Sequence, residues 1–138
     1  MKRKSERVFF WILSLNWGLP MTFSGLLLGG ILLLCGLQPT VWNGFLIFPI
    51  GQAPGGFSLG PVLFLPQRAS RMLLRHEAGH GMQNALLGVF MPFLISLPSL
   101  IRFVYREVRI RQGKGAALPP YESIWFENWA TRLGSRFL

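Results

Sequence analysis

The chain has 138 residues, enough for one domain, with 14 Lys and Arg against 5 Asp and Glu (net +9), 51% hydrophobic residues and only 14% charged. Soluble domains usually carry about a quarter charged residues, and disordered basic tails are poor in apolar ones, so the composition excludes both. The charge is also unevenly placed: residues 1–7 hold four basic groups and one acidic, residues 68–138 ten and four, and the sixty residues 8–67 none. Such a block in a basic protein fits a chain living in or against a lipid bilayer, and it argues against a nucleic-acid binder.

In chain order, residues 8–19 are apolar and aromatic but too short to span, which predicts an interfacial helix with Trp11 and Trp17 at headgroup depth. Residues 20–37 (PMTFSGLLLGGILLLCGL) follow. As a helix they would reach about 27 Å, close to the roughly 30 Å of a hydrocarbon core, so a transmembrane span is expected here. No small-x-small cleavage site closes the run, so the N-terminus reads as a retained anchor, not a signal peptide. Gly25-x-x-x-Gly29 would permit close helix approach. The single Cys35 allows no internal disulfide.

Residues 41–50 and 57–66 are β-branched and aromatic, separated by GQAPGG, and predict two short strands in one hairpin. Pro49 and Pro61 push both toward edge positions. Residues 67–88 predict a helix with Ser70 as N-cap. Residues 78–101 form a second charge-free stretch, broken by Pro92 and Pro98 and followed by Arg102, Arg106, Arg109, Arg111 and Lys114. A last helix is expected over 121–132. The expectation is an α+β membrane protein, with a cytoplasmic flank and anchor over 1–40 and a catalytic region over 41–138.

Residues 76–80 read His-Glu-Ala-Gly-His, the HExxH pattern, and His76 and His80 are the chain's only histidines. One helical turn apart, both imidazoles project from one face and can bind one Zn²⁺. Glu77 is rotated off that axis, placed to act as general base toward a water. Gly79 and Gly81 each cost a helix interior roughly 1 kcal/mol against Ala, which makes sense if another backbone or a substrate approaches closely. A zinc site with an open position needs a third protein ligand, and the chain offers no Asp and only Glu6, Glu107, Glu122 and Glu127 besides Glu77. Glu6 lies in the basic N-terminus and Glu107 in the arginine run. Glu122 shares a face with Trp125, Phe126 and Trp129, whereas Glu127 shares one with Ser123, Ala130, Thr131 and Gly134. That small-residue stripe would let the last helix lie close to the glycine-bearing one, so Glu127 is the better third ligand. Gln83 is placed to bond a ligand histidine, and Tyr121 is a candidate donor to the transition state.

HEAGHGMQ, followed by LLG and LPS and later by YESIWFENWATRLG, resembles small bacterial membrane proteins with a gluzincin-like metal motif, over about residues 17–134. The resemblance implies a minimal zincin-like core with one zinc ion, His76, His80 and Glu127 as ligands and Glu77 as catalytic base. Gluzincins often carry an acidic residue four places after the ligand glutamate to orient a ligand histidine, and here that place is Thr131.

The resulting expectation is an integral metallopeptidase of the bacterial cell membrane that hydrolyses peptide bonds, its N-terminus cytoplasmic, with lipid and a peptide or protein as partners. The competing reading is a non-enzymatic membrane accessory protein with a structural or vestigial metal site. If Glu127 joins the histidines, the intervening chain must return to the side it left. Residues 78–101 should therefore dip into the bilayer or lie along it, bent at the prolines. The +3 flank against an uncharged stretch beyond Leu37 favours an outward-facing site, while the arginine-rich 102–114 segment pulls the other way.

Overall fold

The N-terminal part of the chain folds as two helices, the first starting before the expected 8–19 and the second ending short of the expected 20–37. The computed structural model describes residues 1, 3–120 and 123–138. Helix α1 (Lys4–Asn16) and helix α2 (Leu19–Leu34) meet at 99°. Pro20 explains the corner: inside a continuous helix its ring would clash with the preceding turn, whereas in the first turn of α2 its missing N–H is no loss. The corner is locked from inside the protein. Trp17 Nε1 donates to the Leu86 carbonyl at 3.2 Å and Asn84 Nδ2 to that of Gly18 at 3.2 Å. Trp11 Nε1 likewise donates to the Gly44 carbonyl at 2.7 Å.

The 16 residues of α2 reach about 24 Å. Among the described residues no single helix is long and apolar enough to cross a membrane, which corrects the span expected over 20–37. Gly25 and Gly29 also serve a different contact from the one expected. A Cβ on Gly25 would collide with the Leu59 carbonyl, and one on Gly29 would sit 2.7 Å from the Phe48 ring. They bring α2 down onto a sheet, not onto another helix.

That sheet has four strands where two were expected. Strands β1 (Thr40–Trp42) and β2 (Phe45–Pro49) form one hairpin, and β3 (Phe57–Leu59) and β4 (Val62–Leu65) a second. Each closes through two residues. Asn43-Gly44 has positive φ at both positions (50° and 92°), and Gly60-Pro61 has φ 61° at the glycine, as the primed hairpin turns require. The hairpins dock side by side by parallel pairing of β2 with β4, Leu46 opposite Val62 through Pro49 opposite Leu65, giving the order β1-β2-β4-β3. The prolines do not put their strands at edges: Pro49 ends β2 and Pro61 lies in a turn, so β2 and β4 are the central strands.

All four residues of β4 are buried. On one face Leu63 and Leu65 pack with Phe10 of α1, Phe45 and Ala78; on the other, Val62 and Phe64 pack with Phe48 and with Leu28 and Leu32 of α2. Helix α3 (Arg71–Leu87) lies on the first face, its N-terminus capped by Ser70, whose Oγ accepts from the Leu73 amide at 3.1 Å. A short 3-10 turn (Gly88–Phe90) and one wide π-type turn (Pro92–Ser96) then lead into α4 (Leu97–Arg111). Residues 92–111 run at 119° to residues 71–90, so this stretch bends at Pro92 as expected, whereas Pro98 sits in the first turn of α4 and makes no bend of its own. No residue of α4 is buried. Helix α5 (Trp125–Phe137), which begins and ends later than the expected 121–132, packs along α3.

Candidate metal centre

Helices α3 and α5 approach so closely that neither can carry ordinary side chains at the contact. A Cβ on Gly79 would collide with the Ala130 carbonyl, and one on Gly134 with the Arg75 carbonyl. This contact places the buried Glu127 carboxylate, in the first turn of α5, against both HExxH imidazoles. His76 Nε2 and His80 Nε2 each lie 3.1 Å from Glu127 Oε2. These ligand atoms all fall within 4.8 Å of one another, forming a group that could hold a metal ion.

The outer atom of each ligand is also held. His80 Nδ1 donates to Gln83 Oε1 at 2.7 Å, and Gln83 Nε2 donates to the Phe126 carbonyl at 2.8 Å. His76 Nδ1 lies 2.9 Å from Thr131 Oγ1. Ser99 Oγ, in the first turn of α4, donates to Glu127 Oε1 at 2.6 Å. Since an amide oxygen only accepts, the proton of a neutral His80 sits on Nδ1 and its Nε2 lone pair points at Glu127. A lone pair facing a carboxylate in a buried site calls for a positive charge between them, supplied by a proton or by a metal ion. Ligands about 2.0–2.1 Å from a tetrahedral ion stand roughly 3.3–3.4 Å apart; the two histidine–carboxylate separations of 3.1 Å come close to this, and all three ligand atoms lie within 4.8 Å of one another. The donor set fits the ion.

Burial alone would raise the Glu127 carboxyl, but hydrogen bonds with His76 and His80, helped by Ser99, outweigh it and hold the group well below the ordinary carboxylate range. Burial would likewise lower His80, yet its contacts with Glu127 and the nearby Glu77 raise it. Glu77 is raised by burial, against the opposing pull of His80 and His76. It lies beside both imidazoles on the wall of a cavity of about 480 Å³, and no hydrogen bond from its carboxylate occurs among the described residues. A carboxylate in that state is a stronger base than one in water.

The structure thus brings together His76, Glu77, His80 and Glu127, with Gln83 and Thr131 behind the histidines. Tyr121 and Glu122 lie outside the described residues. At position 131 a hydroxyl stands at hydrogen-bond distance from the His76 ring. Sequence reasoning missed Ser99. A serine following Pro98 in a helix's first turn reads as a local cap, and nothing in its spacing connects it to Glu127. Ser99→Ala should weaken metal binding by roughly 10–100-fold, the usual effect of losing a group that orients a ligand. Competition with a chromophoric chelator would measure this, and an unchanged affinity would show that the carboxylate needs no such support.

Comparison with protein-family models, with curated proteins and with solved structures returns no match for this chain.

Proposed function

We propose that the chain is a membrane-bound zinc metallopeptidase of gluzincin type. One observation carries the reading: the two imidazoles of an HExxH helix and a carboxylate from a second helix converge on one point, with the motif's glutamate beside them on a cavity wall. Two nitrogens and one oxygen, with the fourth position open, suit catalytic zinc. Bound there, zinc would polarise a carbonyl and lower the pKa of a water. Glu77 would take the proton of the attacking water and return it to the departing amine. Gln83 and Thr131 would keep the imidazoles aimed, and Ser99 would leave one carboxylate oxygen of Glu127 for the ion. Strand β3, at the sheet's edge, would offer main-chain groups to an extended peptide.

Attachment to lipid is supported by the exposed apolar side chains of α1, α2 and α4, among them Phe9, Phe23, Leu27, Leu97 and Ile101. A soluble monomer rarely leaves so many large apolar side chains exposed. On α4 the apolar residues 97, 101, 104 and 108 share one face, beside Arg102, Arg106 and Arg109, the layout of a helix lying at headgroup depth. Met1 packs in the same cluster as Leu138, at the end of α5. The basic N-terminal residues and the metal helices would therefore share one side, which the positive-inside rule makes the cytoplasmic one, opposite to the outward site that the sequence favours.

The test is Glu77→Gln in detergent-purified protein. It should retain about one zinc per chain, since Glu77 is no ligand, while peptide hydrolysis falls by roughly 10²–10⁴-fold, the usual share of a general base. Unchanged hydrolysis would remove Glu77 as the base and with it the proposed mechanism, and zinc binding with no hydrolysis by the parent chain would favour the accessory-protein reading.

A further inference from the structure

We propose that the cavity beside the metal ligands accepts a large apolar side chain of a polypeptide that enters from the bilayer, between residues 50–59 and α4; this rests on the peptidase reading above. The walls are the first argument. Met21 of α2, Met91 and Ile95 of the bend, and Leu100 and Phe103 of α4 make the cavity apolar, and among the described residues no ionisable side chain lines it apart from Glu77 and the histidines. A charged substrate side chain would lose its water there and find no partner, at a cost of several kcal/mol. At about 480 Å³ the space lies in the range of small-ligand pockets, enough for one large side chain and its adjoining backbone.

The route is the second argument. The helices that wall the cavity turn their other faces outward as apolar surface: Phe23 and Leu27 on α2, Leu97, Ile101 and Val104 on α4. The rim continues that surface, with Phe57, Leu100 and Phe103 at 42%, 58% and 37% exposure. If those faces meet acyl chains, the mouth between them opens at the same depth. Phe57, Ser58 and Leu59 of the edge strand β3 also line the cavity. Their main chain can pair with a polypeptide and has nothing comparable to offer an acyl chain, which decides for a membrane polypeptide over a lipid.

The zinc-loaded Glu77→Gln protein in phosphatidylcholine–phosphatidylglycerol nanodiscs provides the test. The probe is a synthetic peptide with an apolar helix of about 20 residues, long enough to span, followed by a fluorescent extended segment carrying either Leu or Asp at one position. Anisotropy should show the Leu peptide binding about tenfold or more tighter than the Asp peptide and than the same segment without its membrane helix. Leu100→Asp, on the exposed rim, should keep the metal and lose the preference. Equal binding of Leu and Asp peptides, equal binding of the unanchored segment, or displacement of the peptide by a fatty-acyl amide would each overturn the proposal. Selective binding without cleavage by the parent chain would leave the cavity assignment standing and sink the peptidase reading. Cleavage with no Leu preference would do the reverse.

Discussion

Glu127→Ala should empty the metal site and loosen the fold at once. The carboxylate is fully buried between His76 and His80, and removing one partner of a buried charged cluster typically costs about 3–5 kcal/mol. Zinc content, measured by mass spectrometry on purified protein, should fall from about one per chain to background, a larger effect than the roughly 10–100-fold expected on removing a supporting hydrogen bond. Glu127→Gln separates the two losses. The amide fills the same volume and still hydrogen-bonds, so most of the stability returns, but its neutral oxygen is a poor zinc ligand and the metal does not. Parent-like zinc binding by the Gln variant would remove Glu127 from the ligand set.

The second large effect concerns two glycines. Ala is normally the better helix residue by about 1 kcal/mol, and at Gly30 of α2, where a Cβ would meet nothing within 4 Å, the exchange to Ala should stabilise by about that amount. Gly79→Ala and Gly134→Ala should do the opposite, because each new methyl meets a backbone carbonyl of the facing helix. Backbone cannot rotate away as a side chain can, so α3 and α5 must part. Overpacking of this kind costs about 1–3 kcal/mol and occasionally more. Denaturant unfolding should show the loss, and metal affinity should fall with it because Glu127 moves with α5. If Gly79→Ala stabilises as Gly30→Ala does, the helices are not in this contact.

The HExxH chemistry was legible because it needs only the 3.6-residue period, which places His76 and His80 on one face whatever surrounds them. Glu127 was legible by composition: few carboxylates exist, and this one carries the small-residue stripe. The sheet was half legible. The apolar runs were visible, but Asn43-Gly44 and Gly60-Pro61, both strong turn signals, sit inside them and divide each run into two strands. Hydropathy misled over 20–37 because it records apolarity, not the length of regular helix. Pro20 fixes where α2 begins, and Gly36 at φ 89° lies just beyond its end. Ser99 left no trace, since its role arises only when the fold brings the start of α4 to the first turn of α5.

The two hairpins are local units, each closed by a two-residue turn and able to form on the microsecond scale. Their joining is a single non-local event, the parallel zippering of β2 to β4, with Phe48 stacked on Phe64 at 5.9 Å between ring centroids. The tether between the hairpins, residues 50–56, supplies one wall of the cavity. The shape of that wall is thus a by-product of how the hairpins dock, and its two ends are fixed before its middle. Sequence drift within 52–55 can reshape the cavity without disturbing the sheet, whereas a side chain at Gly56 would meet Phe64 and Leu65 of β4, and drift at Phe48 or Phe64 moves the whole wall from a distance.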